Sequence, residues 1–339
     1  MHKAIREMTN ILPDVDLVIE LLDARLPASS QNPVIMALRG NKPCIKILSK
    51  SDLADSGTTS RWQAEFEQDT SVKTLQTTLD LNGKPQKIVR LCQALVPSRV
   101  KANLNMLVMV TGIPNVGKST LINALAGRKV AKTGNEPAIT KGQQRIKMEH
   151  GIMLLDTPGI LWPKIENENS GYRLAASGAI KDTAMGIEDV AFYLADYLIK
   201  RYPGALKDRY DLASVPATEF EFFELMGARR GCLSAGGRVD LEKASAILVN
   251  EFRAGMLGSI TLETPDMILE VHWPALSLKT LRFYGRHSTD WFLANIVTPT
   301  EGNQRSGTRR KCGPVYAQST PALKSRKLAL SVYIQYTPE

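Results

Sequence analysis

The sequence predicts an α/β fold, a parallel sheet with flanking helices, followed by a small all-α domain. Three observations carry this expectation. Over the first half of the 339 residues short apolar runs alternate with helical stretches, the pattern of a parallel sheet covered by helices. One of those runs leads into Gly112-Ile113-Pro114-Asn115-Val116-Gly117-Lys118-Ser119 and then a helical stretch, the strand, loop, helix order of a phosphate-binding turn. From about Glu166 onward the apolar residues change to helical spacing.

Taken in order, the expected strands are residues 17–22, 44–48, 72–76, 106–110 and 152–155, each an apolar run followed by a polar or glycine-containing loop. In open α/β sheets ligands gather at the carboxyl ends of strands, so the loops after these runs are the candidate site. In the second segment Val190, Ala191, Phe192, Tyr193 and Leu194 share one element with Tyr197, Leu198 and Ile199, while Phe220, Phe222, Phe223, Leu225 and Met226 share another. A third helix is expected over 241–252, where Ala244, Ile247, Leu248 and Phe252 fall on one face. The periodicity fails beyond about His272. The expected domains are therefore 1–165, 166–270 and a basic tail, 271–339.

Composition narrows the function classes. With 43% hydrophobic and 23% charged residues the chain reads as globular, without an apolar stretch long enough to span a bilayer. The opening residues lack the apolar core of a signal peptide, so the cytoplasm is expected, with no membrane partner. Cys44, Cys92, Cys232 and Cys312 form no CxxC pair, which argues against a zinc site or disulfide framework. The formal charge is +9, but the segment from His272 on holds ten Lys/Arg against three Asp/Glu, leaving 33 basic and 31 acidic residues elsewhere. Global charge is thus weak evidence that the body binds RNA, and any such site must be a local patch.

The loop 112–119 matches GxxxxGK[ST] in the required context. Its glycines let backbone N–H groups turn inward, and the following helix, through Thr120, aims its positive end at the phosphates. Val116 and Gly117 lie in the cradle, Lys118 should reach the β and γ phosphates, and Ser119 should ligate Mg²⁺. Asp156-Thr157-Pro158-Gly159 closes the next core strand; Asp156 can hold the Mg²⁺ shell and Gly159 can donate its N–H to the γ phosphate. Between them Thr140, in Pro137-Ala138-Ile139-Thr140-Lys141-Gly142, could close over Mg²⁺. Base selection needs an Asp at a strand end with a Lys stem along the base. No such motif follows Gly159; instead Ser49-Lys50-Ser51-Asp52 closes the strand 44–48, and Thr77-Thr78 after the next strand could back the base. Base reading thus precedes phosphate holding in the chain. The order is the one expected of a circularly permuted P-loop GTPase domain, an arrangement that surface termini tolerate.

This order, with Asp23-Ala24-Arg25-Leu26-Pro27, Ser30-Gln31-Asn32-Pro33 and the DTPGILWP run from Asp156, resembles the ribosome biogenesis GTPase A (RbgA/YlqF) family. Gly178-Ala179-Ile180-Lys181-Asp182, Arg230-Gly231-Cys232-Leu233 and Gly236-Gly237-Arg238 extend the resemblance over about residues 1–265. It implies a cytoplasmic GTPase acting late in assembly of the large (50S) ribosomal subunit, with the helical domain on ribosomal RNA; neither DNA nor an oligomer is implied. Arg229, Arg230, Arg238, Lys243 and Arg253 are the candidate RNA contacts, the alternative being a solvated helix face. Ile160 occupies the position where Ras-like enzymes carry the glutamine that orients water. Asn115 resembles the asparagine that holds K⁺ in K⁺-activated GTPases, where a fixed cation would stabilise transition-state charge; the alternative is that Asn115 braces its loop. Catalysis is accordingly expected from Asn115, Lys118, Thr140 and Gly159.

Three departures stand against the pattern. The family's catalytic histidine precedes the position of Met1, and His2 is offset by one residue. Ser49 stands where the family usually has Asn, whose amide ties the base-reading strand to the P-loop; losing one such buried hydrogen bond costs about 1 kcal/mol and should weaken guanine affinity. The family pattern ends near Pro265, and the tail beyond it reads better as a mis-framed or fused extension than as an RNA-binding arm. His150, His272 and His287 have no ligand partners at metal spacing, and Trp162 reads as packing or as a link between switch and helical domain. A hydrolysing GTPase is the leading expectation, a nucleotide-gated RNA-binding module the second, and a P-loop ATPase the third.

Overall fold

The computed structural model describes residues 2–78, 84–131, 144–148, 150–159, 161–162, 165, 167–234 and 236–269. A six-stranded sheet is built from β1 (Leu17–Asp23), β2 (Cys44–Ser49), β3 (Val72–Gln76), β4 (Met106–Gly112), β5 (Gln144–Lys147) and β6 (Ile152–Asp156), in the order β3-β2-β1-β4-β6-β5. All neighbours are parallel except β5, which runs antiparallel to β6. The chain winds outward from β1 to β3, returns to the middle as β4, then crosses to the far edge as β5 and turns back antiparallel as β6, which fills the place between β4 and β5. The reversal between β1 and β4 opens the crevice in which such sheets bind ligands.

Each expected strand forms, with ends one or two residues longer at β1, β2, β4 and β6. β5 was not anticipated. It is four residues long, and only Ile146 is buried, so an edge strand of this kind leaves almost no apolar periodicity to read.

Helices cover both faces. Alternate residues of β1 and β4 divide between them, as a strand's period of two requires. Val18, Leu22 and Met109 pack with Met8 of α1 (His2–Ile11), Ile35 of α2 (Pro33–Arg39), and Trp62 and Phe66 of α3 (Ser56–Phe66). Ile19, Leu21, Val108 and Val110 face the other way, toward Ile88 and Cys92 of α4 (Lys84–Leu95). A short helix, α5 (Pro97–Lys101), leads into β4, and α6 (Lys118–Ala126) follows it.

The second segment contains α7 (Glu168–Ala176), α8 (Ile187–Arg201), α9 (Pro203–Tyr210), α10 (Glu219–Arg229), α11 (Leu241–Arg253) and the short α12 (Asp266–Leu269). Side chains fix several starts: Asn167 accepts from the Ser170 N–H, Thr218 from Glu221 and Asp240 from Lys243, each satisfying a first-turn donor. Leu194, Leu198, Phe222, Phe223, Leu248 and Phe252 form their core, which is continuous with that under β4 and includes Trp162. All described residues belong to one compact unit. Cys44, Cys92 and Cys232 are buried free thiols; burial pushes Cys44 and Cys92 up to about 12, as expected of packing residues. Cys312, His272, His287 and the tail from 271 lie outside the described residues. No described helix is long and apolar enough to cross a membrane.

Candidate nucleotide site

The sheet delivers the expected residues to one edge. The loop 112–119 leaves β4 at the centre, 156–159 leaves neighbouring β6, 49–52 leaves β2, and Thr77-Thr78 leaves β3. Thr140, Ile160 and the side chain of His2 lie outside the described residues.

Gly112 is a glycine for steric reasons: a Cβ there would stand 2.9 Å from both the Leu21 carbonyl oxygen and Val116 Cγ1. The loop thus passes against β1 with no room for a side chain. Gly117, at φ +96°, turns the chain into α6, where the first-turn N–H groups of Lys118, Ser119 and Thr120 point out of the helix end. Lys118 is buried and its ammonium pairs with Asp156 Oδ1. Asp156 is itself buried, and the next residue, Thr157, donates its hydroxyl to the Val110 carbonyl at 2.8 Å. Phosphate loop and DTPG turn are therefore locked together by a charge pair and a strand-end hydrogen bond. Gly159 completes this contact, with space for a Cβ only at 3.4 Å from Pro114.

Asn115 adopts φ +59° and donates its Nδ2 hydrogen to the Gly178 carbonyl at 2.7 Å. It braces the phosphate loop against the end of α7. Arg253 fixes the same turn, donating to the Ala175 and Ala176 carbonyls at 2.8 and 3.1 Å and gripping Asp182 with two nitrogens at 2.6 and 3.1 Å. Four of the five guanidinium N–H donors of Arg253 are thus used within the chain, although the side chain stays 23% exposed beside the exposed Asp182; this bracing role was not part of the expectation that Arg253 contacts RNA. Arg230 pairs with Glu251 at 3.1 Å and lies over the Tyr210 ring, Lys243 reaches the Gly231 carbonyl, Arg229 pairs with exposed Asp211, and Arg238 is exposed.

On the base-reading side the expected loss at Ser49 is corrected. Ser49 Oγ lies 2.8 Å from the Val116 carbonyl and 3.0 Å from the Leu22 carbonyl. The serine hydroxyl therefore keeps the tie between β2 and the phosphate loop, because the adjacent backbone is close enough for a short side chain. A single O–H serves one carbonyl at a time, whereas an amide N–H₂ could serve both. The loop itself is stitched by Ser51 N–H to the Thr77 carbonyl at 3.1 Å and Leu53 N–H to the Lys50 carbonyl at 3.0 Å. Asp52 is exposed at the edge.

Two features went unread in the sequence. Asp23, at the end of β1, accepts from Lys50 Nζ at 2.9 Å and from Arg25 Nε and Nη2 at 3.0 and 2.9 Å. Burial works to raise its carboxyl, but Arg25 and Lys50 outweigh it and hold it well below the usual carboxylate range. The other is the segment after α11, which returns to the sheet domain. Ile260 N–H donates to the Leu53 carbonyl at 2.9 Å, Leu262 N–H to the Arg25 carbonyl at 2.7 Å, and Glu263 accepts from Ser29 and Arg173. Backbone contacts of this kind carry no periodic signal.

A GxxxxGKS loop on a central strand, a DTPG turn beside it and the Ser49–Asp52 loop, the candidate for base reading, earlier in the chain are the arrangement of a circularly permuted P-loop GTPase. Comparison with known proteins agrees. A family model described as 50S ribosome-binding GTPase matches residues 107–213. The chain is 44% identical to ribosome biogenesis GTPase A of Bacillus pumilus, over 78% of this chain and 96% of that one. It is 32% identical to the mitochondrial ribosome-associated GTPase 1 of Mus musculus, over 78% and 88%. Among solved structures it resembles GDP-bound YlqF, with a TM-score of 0.57 and 28% identity over 77% of this chain and 100% of that one. The chain belongs to the ribosome biogenesis GTPase A family.

Proposed function

We propose that this protein hydrolyses GTP to GDP and phosphate while engaged with a precursor of the large (50S) ribosomal subunit, at a late step of its assembly. The observation that carries the reading is the convergence of four loops on one sheet edge, with the Lys118–Asp156 pair joining two of them. Lys118 and the first-turn N–H groups of α6 hold the β and γ phosphates, Gly159 donates to the γ phosphate, and Asp52 with the Lys50 stem reads guanine, backed by Thr77 and Thr78.

The donor set fits Mg²⁺, a hard cation bound by one or two side-chain oxygens together with phosphate. Ser119 and Asp156 would hold it, with Thr140 from the loop between them, and when bound it would offset phosphate charge. Asn115 is the proposed K⁺ ligand: its amide nitrogen is taken by the Gly178 carbonyl, so Oδ1, a hard oxygen donor, would be the coordinating atom. The same bond ties the phosphate loop to the helical segment, so ordering around the γ phosphate can reposition that segment. Arg229, Arg230, Arg238 and Lys243 are then the groups that grip ribosomal RNA in the GTP form, in the cytoplasm and as a monomer.

The test is single-turnover hydrolysis with added large subunits, in K⁺ and in Na⁺ buffer. Particle-stimulated phosphate release, faster in K⁺, is expected. Bound GTP that stays intact on the particle would overturn the enzymatic reading, and equal particle affinity with GDP and a non-hydrolysable GTP analogue would overturn the coupling.

A further inference from the structure

The buried cluster at the end of β1 has no part in holding phosphate, yet it touches both the base-reading loop and the helical segment. Asp23 and Arg25 are each 1% exposed. Every strong acceptor direction of the Asp23 carboxylate is used: Oδ1 takes the Arg25 backbone N–H and Nε, both at 3.0 Å, and Oδ2 takes Arg25 Nη2 and Lys50 Nζ, both at 2.9 Å. The Asp23 N–H is fixed in turn by Ser30 Oγ at 3.1 Å, and Ser30 donates to the Pro27 carbonyl. The carboxylate therefore has no freedom to rotate.

Lys50 sits in the left-handed region, φ 55° and ψ 35°, a conformation that non-glycine residues hold only when their surroundings impose it. What imposes it is the pull of Asp23 on the ammonium at one end and the bonded turn from Lys50 to Leu53 at the other. The remaining Arg25 nitrogen, Nη1, crosses to the helical segment, donating to the Phe252 carbonyl at 3.3 Å with the guanidinium 4.9 Å from the Phe252 ring centre. The Arg25 carbonyl accepts from Leu262. One arginine thus joins the orientation of Lys50 to the position of α11.

We propose that Asp23 and Arg25 are positioning residues for guanine recognition, setting the Lys50 side chain against the base and making that setting depend on where α11 sits. The proposal rests on the reading of Lys50 as the residue whose stem lies along the base. It differs from the switch around the γ phosphate in one respect that can be measured: it acts on GDP and GTP alike, because both carry the base.

The test is equilibrium and stopped-flow binding of fluorescent GDP and of a non-hydrolysable GTP analogue to the full chain carrying Asp23→Asn, Arg25→Lys, Lys50→Ala and the doubles Asp23→Asn/Lys50→Ala and Arg25→Lys/Lys50→Ala. Asp23→Asn keeps the shape but removes the charge that holds the ammonium, and roughly tenfold weaker binding of both nucleotides is expected, the scale of one charge-assisted hydrogen bond. Arg25→Lys retains a positive charge but loses the two-pronged grip and the reach to Phe252, and a loss of about threefold to tenfold is expected, with faster amide exchange at the end of α11. On the Lys50→Ala background both effects should vanish, since the residue through which they act is gone; a structural weakening would persist there. If Asp23→Asn does not fold, the Arg25→Lys pair of measurements decides alone. Wild-type affinity in Asp23→Asn or Arg25→Lys, or an undiminished loss in the double variants, overturns the proposal. Lys50→Ala with wild-type affinity would instead overturn the base-site reading beneath it.

Discussion

Replacing Ser49 by Ala tests the tie between the base-reading strand and the phosphate loop. The Ser49 hydroxyl is buried and donates either to the Val116 carbonyl at 2.8 Å or to the Leu22 carbonyl at 3.0 Å. Its removal deletes one buried neutral hydrogen bond, worth about 1 kcal/mol, and leaves a carbonyl less well satisfied, bringing the total to about 1–2 kcal/mol. At 1.4 kcal/mol per tenfold this corresponds to roughly a fivefold to thirtyfold loss in any equilibrium that needs the two loops in register. On the proposed site GDP would engage both loops and should show that loss by calorimetry, whereas inorganic pyrophosphate would engage only the phosphate loop and should not. Ser49→Asn brings two N–H donors, one for each carbonyl, and should bind GDP at least as tightly as the serine protein. If Ser49→Ala bound GDP like wild type, or lost GDP and pyrophosphate affinity equally, the hydrogen bond would not be what registers the two loops.

Two further outcomes follow from the charge geometry. Arg253→Ala should destabilise the fold by about 2 kcal/mol in chemical denaturation, because it abandons two backbone carbonyls and Asp182 near the α7 turn, whereas Arg229→Ala, whose pair with Asp211 is exposed, should change stability by less than about 0.5 kcal/mol; the reverse ranking would restore Arg253 as a surface contact. The Asp23 carboxyl is held below its unfolded value, so its contribution to stability is present above the unfolded pKa of about 3.9 and is lost as pH falls toward the folded value. Acid titration of unfolding free energy should accordingly fall less steeply below about pH 4 in Asp23→Asn than in wild type, and identical slopes would refute the assignment.

How much could be read in advance depended on how local each signal was. β1, β2, β4 and β6 were legible because buried parallel strands are nearly continuous apolar runs; β3, at the sheet edge with only Val72 and Leu75 buried, carries a weaker signal, and β5, with one buried residue in four, makes no pattern. The phosphate loop and DTPG turn were legible because their chemistry needs fixed residue types at fixed spacing. Asp23-Ala24-Arg25 was visible as a family motif, but nothing in its spacing tells that Asp23 holds Lys50 or that Arg25 reaches Phe252, 227 residues away. The bracing role of Arg253 was unreadable for the same reason: an arginine near a helix end looks alike whether it faces solvent or grips a neighbouring turn.

The sequence by itself determined the class of fold and the permuted order of the motifs, and it named the candidate residues for a nucleotide, since these follow from periodicity and from short motifs. Only the tertiary structure decided that a serine hydroxyl is near enough to Val116 to keep the loops tied, that Asn115 braces against Gly178, and that residues 260–263 return to lie on the base-reading side. Those contacts join segments far apart in the chain, and the distances that make or break a hydrogen bond are set by packing of the whole core, which no local pattern encodes.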